Sequence, residues 1–91
     1  MLYEEALEVI DKGLKSNPRE GTFYSMKTEI LFRQGKIKEA LITCDKGIKI
    51  GKKYKGTTID IADLYGRLGN IFKQKKAYKK AINAFQKALE F

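Results

Sequence analysis

Histidine is absent from this 91-residue chain, and cysteine and proline occur once each. Without histidine the commonest general base and metal ligand is missing. The single cysteine, Cys44, excludes an internal disulfide and has no imidazole beside which to act as a nucleophile. No paired carboxylates and no ligand cluster with metal spacing stand in for them. The chain is therefore not read as an enzyme, and no catalytic residue, metal or cofactor is expected. No apolar run approaches the ~20 residues that a membrane-spanning helix needs. The opening Met1-Leu2-Tyr3-Glu4-Glu5 is acidic and amphipathic, which does not fit a cleavable leader. An intracellular, cytoplasmic chain is the expectation, with Cys44 a buried and inert thiol.

Negative charge is scarce in one half only. Residues 1–45 hold 7 Lys/Arg against 8 Asp/Glu, whereas residues 46–91 hold 12 against 3. The net charge of +8 thus comes entirely from the second half. Such a field favours acidic partners and speeds their encounter. The apolar content of 43% and charged content of 33% are those of a folded soluble chain.

A twelve-residue pattern occurs three times. Tyr3-x-x-Ala6-x-x-x-Ile10-x-x-Gly13-Leu14 returns as Ile37-x-x-Ala40-x-x-x-Cys44-x-x-Gly47-Ile48, and again as Tyr78-x-x-Ala81-x-x-x-Phe85-x-x-Ala88-Leu89. The alanines are spaced by 34 and then by 41 residues, a period that marks a helical repeat array. Apolar residues near a 3.6 period predict helices over 2–16, 21–34 and 36–50, then from Thr57 or Thr58 to about Lys75, and over 77–90. Asn17-Pro18 ends the first helix, and Gly35, in a left-handed conformation, ends the second. Gly51 to Gly56 reads as a break, and Thr57 or Thr58 as the cap of the fourth helix. Short links make neighbouring helices antiparallel hairpins. Glycine inside a helix costs about 1 kcal/mol relative to alanine, so Gly13, Gly47, Gly66 and Gly69 are each expected to serve close packing. Tyr65, Leu68, Phe72 and Phe85 are assigned to the core.

Tyr65-x-x-Leu68-Gly69-x-x-Phe72 followed by Tyr78-x-x-Ala81-x-x-x-Phe85-x-x-Ala88 resembles the tetratricopeptide repeat. The preceding unit carries Lys27-Thr28 where Leu-Gly is usual. The fold this implies is an all-α, right-handed superhelix of antiparallel helix pairs, about five helices in all. Residues 1–20 would be the second helix of a first repeat, 21–51 a second repeat, 52–61 an insertion and helix start, and 62–91 a third repeat. A chain that opens partway through a repeat is expected to be a piece of a larger protein. Leu7, Ile10 and Leu14 would then be exposed or covered by another chain, as in a homodimer through the first helix.

Cys44 to Gly51, the seven-residue insertion, and Ile61 to Asn70 are similar to the central repeat domain of the Hsp-organising, stress-inducible co-chaperone family. That resemblance implies capture of the acidic EEVD tail of a heat-shock chaperone by a carboxylate clamp. Arg67 stands at the clamp arginine and Asn70 at a nearby groove asparagine. Met26 occupies the position of the clamp asparagine, and Asp63 that of a clamp lysine. The inner helices offer Thr22, Ser25, Met26, Glu29 and Arg33, then Asp63, Gly66, Arg67, Asn70, Lys73 and Gln74, on one face. The candidate peptide-binding residues are Arg67, Asn70, Lys73, Met26, Glu29, Arg33 and Asp63, with a protein or peptide as the partner and no membrane. A self-associating structural scaffold is the alternative. Nucleic-acid contact through the lysines around 49–55 and 73–80 is the weaker third reading, because a solvated face accounts for them as well.

Overall fold

The computed structural model describes residues 2–54 and 59–91. Five helices follow one another: α1 Leu2–Ser16, α2 Gly21–Arg33, α3 Ile37–Lys53, α4 Ile61–Gln74 and α5 Tyr78–Glu90. Each packs against the next in sequence, and α2 also meets α4. The odd and even helices therefore fall into two layers of a slab measuring 35 × 33 × 14 Å. No strand occurs among the described residues, and none of their helices is long and apolar enough to cross a membrane.

Two of the turns are built alike. After α2, the Gly35 amide donates to Phe32 O (3.0 Å) and the Lys36 amide to Leu31 O (2.9 Å). After α4, the Lys76 amide donates to Lys73 O (3.0 Å) and the Ala77 amide to Phe72 O (2.8 Å). Both are Schellman closures, which require a left-handed residue just past the helix. Gly35 fills that place with φ 78°, as its sequence position predicts; Lys76 fills the equivalent place with φ 61°.

The α3–α4 link departs from expectation. α3 continues through Gly51 to Lys53, and Tyr54 is its extended cap, donating to Ile50 O at 3.1 Å. Gly51 is a packing residue, not a breaker: a Cβ there would lie 2.8 Å from Ile59 Cγ2 and 3.0 Å from Ile61 Cγ1. Thr57 and Thr58 lie outside the described residues. The cap of α4 is Asp60, whose carboxylate accepts the Asp63 amide at 3.0 Å and so satisfies one of the orphan donors of the first turn.

The core runs through the middle of the slab on Tyr24, Leu31, Ala40, Cys44, Ile48, Leu64, Tyr65 and Ile71. Ala40 and Ala81 are buried at the hairpin crossings. The Cys44 thiol donates to Leu64 O at 3.1 Å, and burial pushes it up to about 12. The Tyr24 hydroxyl donates to Pro18 O at 2.8 Å, tying the α1–α2 link to α2, and burial raises its pKa. A Cβ on Gly13 would meet the Phe23 ring, one on Gly47 would meet Leu64 and Tyr24, and one on Gly69 would meet the Phe85 ring. Gly66 is different: nothing lies within 4 Å of an added Cβ, so it has no packing role.

Two further expectations are corrected at the ends of the stack. Ile10 is buried at 2% exposure, and Leu7 and Leu14 are half-buried against the core. α1 turns these side chains onto α2, so they need no second chain; Leu2 and Val9 are the exposed ones. At the other end Phe85 is 36% exposed, with Ile82 at 57% and Leu89 at 89%. Their equivalents on α3 include Cys44 at 0% and Ile48 at 4%, because α4 covers that face, whereas no described helix covers the outer face of α5.

Candidate functional site

α2 and α4 are both first helices of a hairpin, and they lie side by side. Their facing side chains form one ion-pair network. Asp63 sits in the first turn of α4, and its Oδ2 accepts from Ser25 Oγ on α2 at 2.7 Å. The same oxygen accepts from Arg67 Nε, one turn along, at 3.0 Å. Arg67 then reaches back across the groove and donates through Nη1 to Glu29 Oε1 at 2.8 Å. The second carboxylate oxygen of Glu29 accepts from Arg33 Nε. The chain of contacts is thus Ser25–Asp63–Arg67–Glu29–Arg33. The Arg33 hydrogen bond comes first among the causes that hold the Glu29 carboxyl below its ordinary value, with Arg67 adding to it. The same bond raises the Arg33 guanidinium.

Arg67 consequently has two internal carboxylates on it, which is a different state from a clamp arginine awaiting a ligand. Guanidinium–carboxylate hydrogen bonds are charge-assisted and directional, so the bridge links α2 to α4 in a defined register. Asp63 is neutralised from within the groove. Met26 is exposed and takes no part in the network.

Two clefts open along this face. One, of about 190 Å³, is lined by Thr28, Glu29, Phe32, Arg67, Asn70 and Ile71. Thr28 Oγ1 is buried, with no hydrogen-bond partner among the described residues. The other, of about 460 Å³, lies at the turn end of the groove and is lined by Phe32, Asn70, Lys73, Gln74, Lys76 and Tyr78. Asn70 and Phe32 line both, so the clefts adjoin. Among the described residues Lys73 and Lys76 have no ion-pair partner.

Of the seven candidates, the structure joins Glu29, Arg33, Asp63 and Arg67 in the network and puts Asn70 and Lys73 at the cleft; Met26 stands apart. Sequence reasoning missed Phe32, Thr28, Lys76 and Tyr78 as lining residues. Tyr78 entered that reading only as a position of the repeat pattern, and Phe32 was not among its groove residues. Lys76 could have been found by aligning it, 41 residues on, with Gly35.

A family model for the tetratricopeptide repeat matches residues 22–91. The chain is 28% identical over 87 residues, 96% of its length, to stress-induced-phosphoprotein 1 of Caenorhabditis elegans. It is also 28% identical over the same share to the Hsp70-Hsp90 organising protein of Plasmodium falciparum. It spans only 27% and 15% of the lengths of these two relatives. Among solved structures, the N-terminal domain of stress-induced protein-1 from C. elegans superposes with a TM-score of 0.77 at 27% identity, over 89% of this chain and 64% of that one. With the family model covering most of its length and the helix pairs arranged as that pattern requires, the chain belongs to the tetratricopeptide repeat family.

Proposed function

We propose that the chain is a protein-interaction module that holds an acidic peptide segment in the groove between α2 and α4. The observation that carries this reading is the division of labour among the groove cations. Arg67 and Arg33 are taken up by Glu29 and Asp63, while Lys73 and Lys76 face an open cleft beside the amides of Asn70 and Gln74. An acidic segment finds its charge partners at that end, and the apolar walls of Phe32 and Tyr78 take the side chains between its carboxylates. The surplus positive charge of residues 46–91 steers such a ligand toward the groove.

The relatives named for stress induction and for organising Hsp70 and Hsp90 bring the acidic tail of a heat-shock chaperone into this ligand class. Such a tail would bind here through side-chain carboxylates at Asn70 and Lys73. A terminal carboxylate clamp is disfavoured, because Asp63 replaces one of its donors and Arg67 is engaged. A peptide ending in EEVD is therefore titrated as the free acid and as the C-terminal amide, with changes followed in backbone and side-chain NMR signals. Shifts at Asn70 and Lys73 of similar size for both forms are expected. Silence at these residues rules the groove out; binding that vanishes on amidation restores the terminal clamp.

A further inference from the structure

We propose that the cleft at the α4–α5 turn is a subsite for a densely charged oxyanion, a phosphate group or adjoining carboxylates, carried next to an apolar side chain on the partner. This rests on the groove reading and names the group taken at its turn end.

The first observation is the backbone of Lys76. Its φ of 61° is the left-handed region, where a Cβ is crowded and glycine is the usual choice. The equivalent turn after α2 uses Gly35 at φ 78° with the same pair of closing hydrogen bonds. The repeat therefore has a strain-free solution, and this turn does not use it. Strain of that kind persists where the residue serves something besides the fold, and it clusters at binding sites.

The second observation is where the Lys76 side chain belongs. Lys76 lines a cleft of about 460 Å³ with Lys73, Asn70, Gln74, Phe32 and Tyr78. Neither lysine has an acidic partner among the described residues, although other groove cations do. Two ammonium groups and two side-chain amides supply more donors than a single carboxylate can accept, and suit an anion with several oxygens. Tyr78 is 58% exposed and lines the cleft, so its ring is available to a ligand and is not spent on the core. Its α3 counterpart, Ile37, is half-buried against the core.

The test uses the chain itself with two bare probes, inorganic phosphate and a capped tetraglutamate peptide, followed by NMR at matched ionic strength. Lys76→Gly is the decisive variant, because it relieves the strained backbone while deleting the cation. We expect its melting temperature to rise by a few degrees and its affinity for at least one probe to fall several-fold. Lys73→Gln should cause a similar loss of binding. Lys79→Gln, which removes the same charge outside the cleft, should leave both unchanged. A Lys76→Gly variant that is more stable and binds both probes as before overturns the proposal, as does an equal loss in Lys79→Gln. Loss of phosphate alone in Lys76→Gly identifies a phosphorylated partner, and loss of tetraglutamate alone an acidic run. Should the EEVD peptide shift Asn70 while sparing Lys73 and Lys76, the subsite falls and the groove stands; should phosphate bind at these lysines while no peptide binds, the groove falls and the subsite stands.

Discussion

Alanine at Gly66 and alanine at Gly47 make the same chemical change in two helix interiors, yet their expected effects on stability are opposite. Each glycine costs its helix about 1 kcal/mol relative to alanine. At Gly66 a methyl group would meet nothing within 4 Å, so the whole of that gain is available. For a domain of this size about 1 kcal/mol corresponds to a rise of roughly 4–8 °C in melting temperature. At Gly47 the added Cβ would lie 2.9 Å from Leu64 Cδ1 and 3.1 Å from Tyr24 Cβ and Cγ. Neither neighbour has room to give: Leu64 is 0% and Tyr24 3% exposed, and the Tyr24 Cβ is fixed to the α2 backbone. Overpacking of this kind costs about 1–3 kcal/mol. Setting the helix gain against it leaves a net loss of up to about 2 kcal/mol at Gly47. Thermal and denaturant unfolding, followed by circular dichroism, measures both variants directly. If Gly47→Ala stabilises as much as Gly66→Ala, the close approach of α3 to α2 and α4 is wrong.

Four other outcomes are expected. Ile10→Ala should lose about 2–4 kcal/mol, because it empties a fully buried site, whereas Val9→Ala on the exposed face should stay within about 0.5 kcal/mol; equal losses in denaturant midpoints would mean that α1 is turned the other way. Arg67→Ala leaves the Asp63 and Glu29 carboxylates without their shared cation, and since all three groups are partly exposed the loss should be about 1 kcal/mol, with Asp63→Asn recovering part of it; an unchanged midpoint would show that the bridge does not form in solution. The Glu29 carboxyl is held below its ordinary value, so its contribution to stability is complete above the ordinary carboxylate range and disappears as pH falls through its lowered value; the unfolding midpoint should drop on acidification, and less so in Glu29→Gln. The Cys44 thiol, buried and raised to about 12, should react with a thiol reagent only as fast as the chain opens; fast labelling at neutral pH would contradict its burial.

The helices were legible because their apolar spacing and their terminators act locally. Asn17-Pro18 and Gly35 end helices by backbone sterics, and no tertiary contact is needed to see it. Gly51 was misread for the opposite reason. Its role depends on Ile59 and Ile61 arriving against it from the far end of the α3–α4 link, which no local rule contains. The cap went to Asp60 because its carboxylate reaches the Asp63 amide. Phe85 was assigned to the core by its place in the pattern, but burial needs a helix on the far side, and α5 has none among the described residues. Thr28 and Cys44 show how the weaker repeat keeps its packing. They stand where the next repeat has Gly69 and Phe85, and both are buried, so a larger residue on the first helix accompanies a smaller one on the second.

The groove was less legible than the fold, and the reason is electrostatic. A helical face read from sequence is a row of side chains; which of them remain available to a ligand depends on the row opposite. Here α2 contributes Glu29 and Arg33, α4 contributes Asp63 and Arg67, and the four charges cancel in one network. Arg67, the strongest candidate by position, is thereby withdrawn, while Lys73 and Lys76 are left facing a cleft. On the proposed groove reading, a neutral centre with cations at one end would favour ligands whose charge is concentrated at a single point along the peptide, and would discriminate against those needing a donor at Arg67. Specificity of this kind would come as much from the internal pairing that removes Arg67 as from the attraction at the turn. The repeat pattern cannot encode it, since every residue involved lies between the positions that pack one helix on another.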